Sequence, residues 1–147
     1  MRPFKNKKNL LILLIVFFAF LGFLDATYLT ILHYQNIIPP CSLTSGCERV
    51  LTSPYSQIGI VPVSLLGSIF FLTIIVLSII ILQSKKSHFS LQKALLGSAL
   101  IGFLVSLGFF LIQLLILRAF CPYCLTSETI SLLILTLSIA LIRLNKN

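Results

Sequence analysis

Residues 10 to 32 read LLILLIVFFAFLGFLDATYLTIL, from Leu10 to Leu32, with no proline and a single acidic or basic side chain, Asp25. At about 1.5 Å of rise per residue, such a helix outspans the roughly 30 Å of hydrocarbon in a bilayer. A helix of a soluble protein carries a charged face along its length, and this one has none. Working outward, three more runs have the same character: Val63 to Leu82, opened by Pro62; roughly Ala94 to Leu117; and roughly Pro122 to Ile142. Lipid offers no partner for a backbone N–H or C=O, so each run is read as a helix. The expected fold is an all-α integral membrane protein, a four-transmembrane-helix bundle in one domain over residues 1–147. Its spans fall at about 10–32, 63–82, 94–117 and 122–142, with a long outer loop between the first two.

Composition points the same way. The chain is 58% hydrophobic and has only three acidic residues, Asp25, Glu48 and Glu128, against eleven basic ones. Its mean hydropathy is +1.09, too apolar for a soluble chain of this size, which must expose much of its surface. The net charge of +8 does not describe a nucleic-acid face, because the basic residues bunch at the ends of apolar runs. Lys5, Lys7 and Lys8 ahead of the first run resemble the start of a secretory signal. The run exceeds the about 7–15 apolar residues of a signal, however, and Asp25-Ala26-Thr27-Tyr28-Leu29 is not a small-residue cleavage site. A retained helix is expected.

Charge also sets the orientation. Arg2, Lys5, Lys7, Lys8, Lys85, Lys86, Lys93, Arg143 and Lys146 flank one set of span ends, whereas the other connections carry only Arg49 and Arg118. The basic set belongs inside. Both termini are therefore expected in the cytoplasm, and Cys41, Cys47, Cys121 and Cys124 on the outer face. The outer segment from His33 to Val61 is polar and broken by Pro and Gly, and loops of that length are usually functional. Within it, Ser45 to Leu51 is expected as a short helix on the membrane surface, with Val50 and Leu51 facing down.

The cysteines carry the chemistry. Cys121-Pro122-Tyr123-Cys124 opens the fourth span. Proline suits the first helical position, which places Cys121 near the N-cap, where unpaired N–H groups favour a thiolate. Arg118, three residues upstream, is expected to add to that effect. A lowered thiol pKa helps both attack and departure in disulfide exchange. The second pair, Cys41 and Cys47, brackets Ser42-Leu43-Thr44-Ser45-Gly46, a pliable stretch suited to meeting an outside protein. One mobile pair and one embedded pair read as a relay. Two purely structural disulfides explain a loop staple but not a C-x-x-C with almost no loop to constrain. A four-thiolate zinc site is the other plain reading, and nothing else in the chain points to a metal-dependent fold.

At these residues the chain resembles the vitamin K epoxide reductase family, specifically its bacterial members. The likeness lies in Cys41…Cys47-Glu48-Arg49-Val50-Leu51-Thr52-Ser53-Pro54-Tyr55, in Gly59-Ile60-Val61-Pro62-Val63-Ser64-Leu65-Leu66-Gly67, and in Cys121-Pro122-Tyr123-Cys124-Leu125-Thr126-Ser127-Glu128. Quinone reductases of the DsbB type place their C-x-x-C in the first outer loop instead. The resemblance covers nearly the whole chain. It implies a four-helix bundle around a quinone, menaquinone or ubiquinone, in a bacterial inner membrane. It implies that Cys124 is the thiolate facing the quinone and that Cys121 exchanges with Cys47. Cys41 and Cys47 then draw electrons from a thioredoxin-fold, DsbA-like partner. Many bacterial relatives carry that partner fused; with this chain ending at Asn147, a separate one is expected. Ser53 falls where the family keeps a serine near its thiols. Val63 and Glu128 stand where the animal enzymes have an asparagine and a tyrosine, so a respiratory quinone is expected rather than vitamin K epoxide.

Asp25 is a functional candidate as an ionisable group inside a span, or else a helix-packing hydrogen bond. Glu128 shares a helix face with Cys124 and is a proton-relay candidate, although the helix dipole alone favours an acid there. His33 and His88 are read as solvated, and Gly97, Gly102 and Gly108 as sites of close helix packing. The competing function is a soft-metal carrier or sensor using the same thiolates. A carrier wants thiols along the path through the bilayer, and these gather at one end.

Overall fold

The first apolar run forms helix α1 (Pro3–Gln35). The computed structural model describes residues 3–41, 46–84 and 89–146. After α1 come a short helix α2 (Gly46–Leu51), a 3-10 turn (Pro54–Ser56) and a minimal hairpin of β1 (Gln57–Ile58) and β2 (Val61–Pro62). The hairpin pairs Gln57 with Pro62 and Ile58 with Val61, and Gly59 takes the left-handed φ of 65° at its tip. Then follow α3 (Val63–Gln83), α4 (Phe89–Leu111), which continues as a π-helical turn (Ile112–Leu117), and α5 (Pro122–Lys146). The expected spans are all present, and four helices are long and apolar enough to cross a membrane. The chain is an all-α, multi-pass membrane bundle.

Helix α4 begins at Phe89, ahead of the expected Ala94, and the Lys93 Nζ sits 4.6 Å from the Phe89 ring centre, one turn back on the same helix. Lys85, Lys86 and His88 lie outside the described residues. Helix α1 packs on α3 and α5, and α4 closes the ring by packing on the same two. Ile12, Ile15, Ile74, Leu95 and Ile134 are fully buried at the centre. The outside is equally apolar: Ile101 and Leu115 are 66% exposed, as a lipid-facing surface must be and a water-facing one is not.

In lipid no hydrophobic drive pulls helices together, so close fit and hydrogen bonds must do so. Gly22 lies against the Phe71 ring, where a Cβ would come within 2.6 Å, and Gly102 lies against Phe70. Gly97 and Gly108 meet nothing within 4 Å. Close packing therefore holds for one of the three α4 glycines, because α4 has neighbours on only part of its circumference. Between helices, Thr30 Oγ1 donates to Ser64 Oγ at 3.0 Å and Ser106 Oγ to Ser131 Oγ at 3.2 Å. Ser127 Oγ donates to Asp25 Oδ2 at 2.6 Å, tying α5 to α1.

Candidate active site

All four cysteines meet at one end of the bundle. Pro122 is the first residue of α5, and the Cys121 carbonyl accepts the Leu125 N–H at 3.0 Å. Cys121 is thus the N-cap, as its sequence context predicts. Cys121 and Cys124 are free thiols, the first fully buried and the second half-buried. Cys41 and Cys47 are joined as a disulfide with Cα atoms 6.2 Å apart. Of the stretch expected to be pliable, Ser42 to Gly46, residues 42–45 lie outside the described ones, and Gly46 is the first residue of helix α2. Cys47, Val50, Ala119 and Cys121 form one buried cluster, with Cys41, Leu51, Tyr123 and Cys124 packed at its edge.

The short helix expected at Ser45 to Leu51 is present as α2, and its buried face, Gly46, Cys47 and Val50, packs on the connection between α4 and α5 with Leu51 at the edge. Gly46 makes that possible. A Cβ there would lie 2.5 Å from the Phe120 carbonyl oxygen and 2.8 Å from its nitrogen. The residue before Cys47 is seated on the residue before Cys121.

The π-helical turn ends at Arg118, which adopts a left-handed φ of 48°. Its N–H and that of Ala119 both close on the Gln113 carbonyl. Wide turns of this kind recur at functional sites. Gln113 is 2% exposed, and its side chain uses both ends. Its Oε1 accepts the Cys121 N–H at 3.1 Å, and its Nε2 donates to Glu128 Oε1 at 2.7 Å. Sequence reasoning passed over Gln113; its signal was a lone amide in the apolar run ending at Leu117.

Beneath the outer loop lies a cavity of about 900 Å³, within the usual range for small-molecule sites. Leu29, Val63, Phe70, Phe71 and Val105 are among its apolar walls; Ser53, Gln113, Cys124, Ser127 and Glu128 add polar atoms. Cys124 is on the wall and Cys121 is not. Ser53 is buried, and its Oγ donates to the Val50 carbonyl at 2.7 Å, so its proton is used within the loop rather than on a thiol. Glu128 Oε2 is buried without a hydrogen-bond partner among the described residues. Asp25 is not part of the wall; its described bond is to Ser127. His33, expected to be solvated, borders the cavity. Among the described residues no group of three or more His, Cys, Asp or Glu is gathered to hold a metal ion.

The Cys121 thiol is pulled down from its ordinary value to about 7. The largest cause is the hydrogen bond from the Cys124 thiol. Burial opposes it, the Cys124 and Tyr123 backbone N–H groups support it, and the Asp25 charge opposes it. Exposed Arg118 is not among these causes, so the thiolate owes its stability to the helix N-terminus and its partner sulfur. A lowered pKa means more thiolate above about pH 7 and a tenfold loss for each unit below. Thiolate absorbance of the reduced protein, titrated with pH, should have its first midpoint near 7. Cys124→Ala removes the largest contribution and should move that midpoint upward. An unmoved midpoint would contradict the Cys121–Cys124 pairing.

Compared with known families, the chain matches the model described as the vitamin K epoxide reductase family over residues 13–139. No curated protein matches it.

Proposed function

Since the chain belongs to the vitamin K epoxide reductase family, whose members are membrane oxidoreductases that use quinone, we propose that it is a thiol:quinone oxidoreductase that sustains disulfide formation outside the cytoplasm. Electrons enter at Cys41 and Cys47 from a thioredoxin-fold, DsbA-like protein. They pass from Cys47 to Cys121, and leave from the Cys121/Cys124 pair to menaquinone or ubiquinone. The membrane is a bacterial inner membrane, with the cysteines outside and both termini inside.

One observation carries this reading: Cys47 shares a buried cluster with Cys121, while Cys124 stands on the wall of a large, mainly apolar cavity. A quinone fits such a cavity, since its ring and tail need apolar walls and its oxygens need the polar end that Cys124, Gln113 and Glu128 provide. When bound, it supplies a sink for two electrons and two protons. In its disulfide with Cys124, Cys121 is the sulfur that the Cys47 thiolate attacks; it leaves as a thiolate when Cys41 closes onto Cys47, and later closes back onto Cys124. Ser53 fixes the loop that roofs the site. Asp25 keeps α5, and so the C-x-x-C, in register with α1.

The test is direct. Purified protein, reduced with dithiothreitol, freed of it and mixed with a short-chain quinone, should bleach the absorbance of two quinones per chain, one for each reduced cysteine pair. Cys124→Ala should abolish this. Quinone reduction that persists in Cys124→Ala, or its absence from the unaltered protein, would overturn the assignment. Orientation has its own check. A membrane-impermeant maleimide added to intact, reduced cells should label Cys41 or Cys47, and labelling only after permeabilisation would place the site on the wrong side.

A further inference from the structure

The thiol pair and the cavity are connected by a group that has no place in the electron path. Gln113 spans from the Cys121 N–H, 3.1 Å from its Oε1, to the Glu128 carboxyl, 2.7 Å from its Nε2. A planar amide with its oxygen on a donor and its nitrogen on a carboxyl oxygen cannot rotate without losing both bonds. Glu128 is held by one oxygen only. The other, Oε2, is buried with no partner among the described residues, on a side chain that lines the same cavity wall as Cys124. A buried polar group without a partner needs a reason. An unpaired charge in a membrane span is costly, so the neutral acid is the form of Glu128 whose burial costs less.

Proton counting gives the reason. Closing a dithiol to a disulfide onto a quinone-class acceptor moves two electrons and requires two protons. In the form that carries Cys121 as the thiolate, the pair holds one proton, on Cys124. We propose that Gln113 is a positioning residue that joins the thiol pair to a proton donor, holding the Glu128 carboxyl at the cavity wall beside Cys124 so that it supplies the second proton. The Cys121–Cys124 S–S bond forms and the Cys124 S–H and Glu128 O–H bonds break. Two electrons and two protons leave to the acceptor, and the charge of one thiolate before becomes the charge of one carboxylate after. Glu128 then takes a proton back from the outer solvent. This rests on the proposed quinone reduction and adds to it the source of the proton and the residue that aims it.

Two measurements test it. In the lipid-reconstituted protein without quinone, the infrared band of a protonated carboxyl should vanish in Glu128→Gln. In Gln113→Leu it should move to higher frequency, because the carboxyl loses the amide bond on its carbonyl oxygen. In single turnovers with a short-chain quinone, Glu128→Gln should slow the quinone step about a hundredfold, the usual scale of general acid catalysis. Exchange between the two cysteine pairs, followed by maleimide gel shift, should stay within about twofold, since no acid acts in it. Adding Gln113→Leu to Glu128→Gln should cost little more, because a positioning residue has nothing left to position. Additive losses in the double variant, or a carboxyl band indifferent to Gln113→Leu, would overturn the proposal. So would an unslowed quinone step in Glu128→Gln, which shares the length of the natural side chain and so tests the idea even where Gln113→Leu fails to fold. Absence of quinone reduction from the unaltered protein overturns the functional reading instead, so the two failures are distinct.

Discussion

A chain carrying Cys41→Ser and Cys124→Ser together is expected to accumulate an internal Cys47–Cys121 disulfide as its main oxidised form. Each step of disulfide exchange passes through a mixed disulfide, with one thiolate attacking and another leaving. Cys41 resolves the bridge on the loop side and Cys124 on the membrane side. With both gone, nothing within the chain reopens it. The bond needs Cα atoms within about 7 Å, and the packing supports that approach. Cys47 and Cys121 are 1% and 0% exposed in one cluster, and the residues preceding them touch through Gly46 and Phe120. Cys41 lies only at the cluster edge, where it is the more accessible sulfur for an outside protein. The complementary variant, Cys47→Ser with Cys124→Ser, should leave Cys41 and Cys121 largely as free thiols. Non-reducing peptide mapping separates the cases. Free Cys47 and Cys121 in the first variant under oxidising conditions would sink the relay and leave two independent pairs.

Much of this was legible in the sequence, for definite reasons. Lipid leaves helix as the only way to satisfy a long apolar backbone run, so length and hydropathy alone gave the four spans. Proline at position 122 announced the start of α5 and, with it, the N-cap position of Cys121. What the sequence hid depended on partners far along the chain. Gln113 looked like one amide in an apolar run. Its meaning comes from a π-helical turn that no apolar period signals, and from Glu128 and the Cys121 N–H on the next helix. Arg118 was credited for its charge, yet it is not among the causes that lower the Cys121 thiol, and its backbone makes the left-handed bend. Asp25 carried two readings, and the hydrogen bond that joins it to Ser127 rests on a residue of α5 that α1 cannot announce. The helical glycines could not be sorted until their neighbours were known, since only Gly102 of the three on α4 faces one.

Gly46 is the other residue whose significance depends on what is opposite, and its substitution should have a large effect in one place only. A methyl group at this position would meet the Phe120 backbone at 2.5 Å from O and 2.8 Å from N. These are main-chain atoms, which cannot swing aside like the end of a side chain. Phe120 is further fixed between the bend at Arg118 and the N-cap at Cys121. In Gly46→Ala, therefore, α2 must lift, carrying Cys47 away from Cys121. Exchange tolerates little displacement, since an ångström of misplacement at reacting atoms costs up to about a hundredfold in rate. Transfer from the loop pair to the C-x-x-C should slow on that scale, measured by quenched-flow maleimide labelling after reduction by a thioredoxin-fold protein. Quinone reduction by protein whose C-x-x-C has been reduced directly with dithiothreitol should stay close to its original rate, because Cys124 and the α1, α3, α4 and α5 walls of the cavity hold their places and only Val50 and Leu51 of its lining belong to α2. That unchanged step also shows that the bundle is folded. The same substitution placed in the Cys41→Ser, Cys124→Ser background should lower the yield of the Cys47–Cys121 bridge. If Gly46→Ala passed electrons inward as fast as the natural chain, the contact with Phe120 would be incidental, and the positioning of Cys47 would have to come from Val50 and the rest of the cluster.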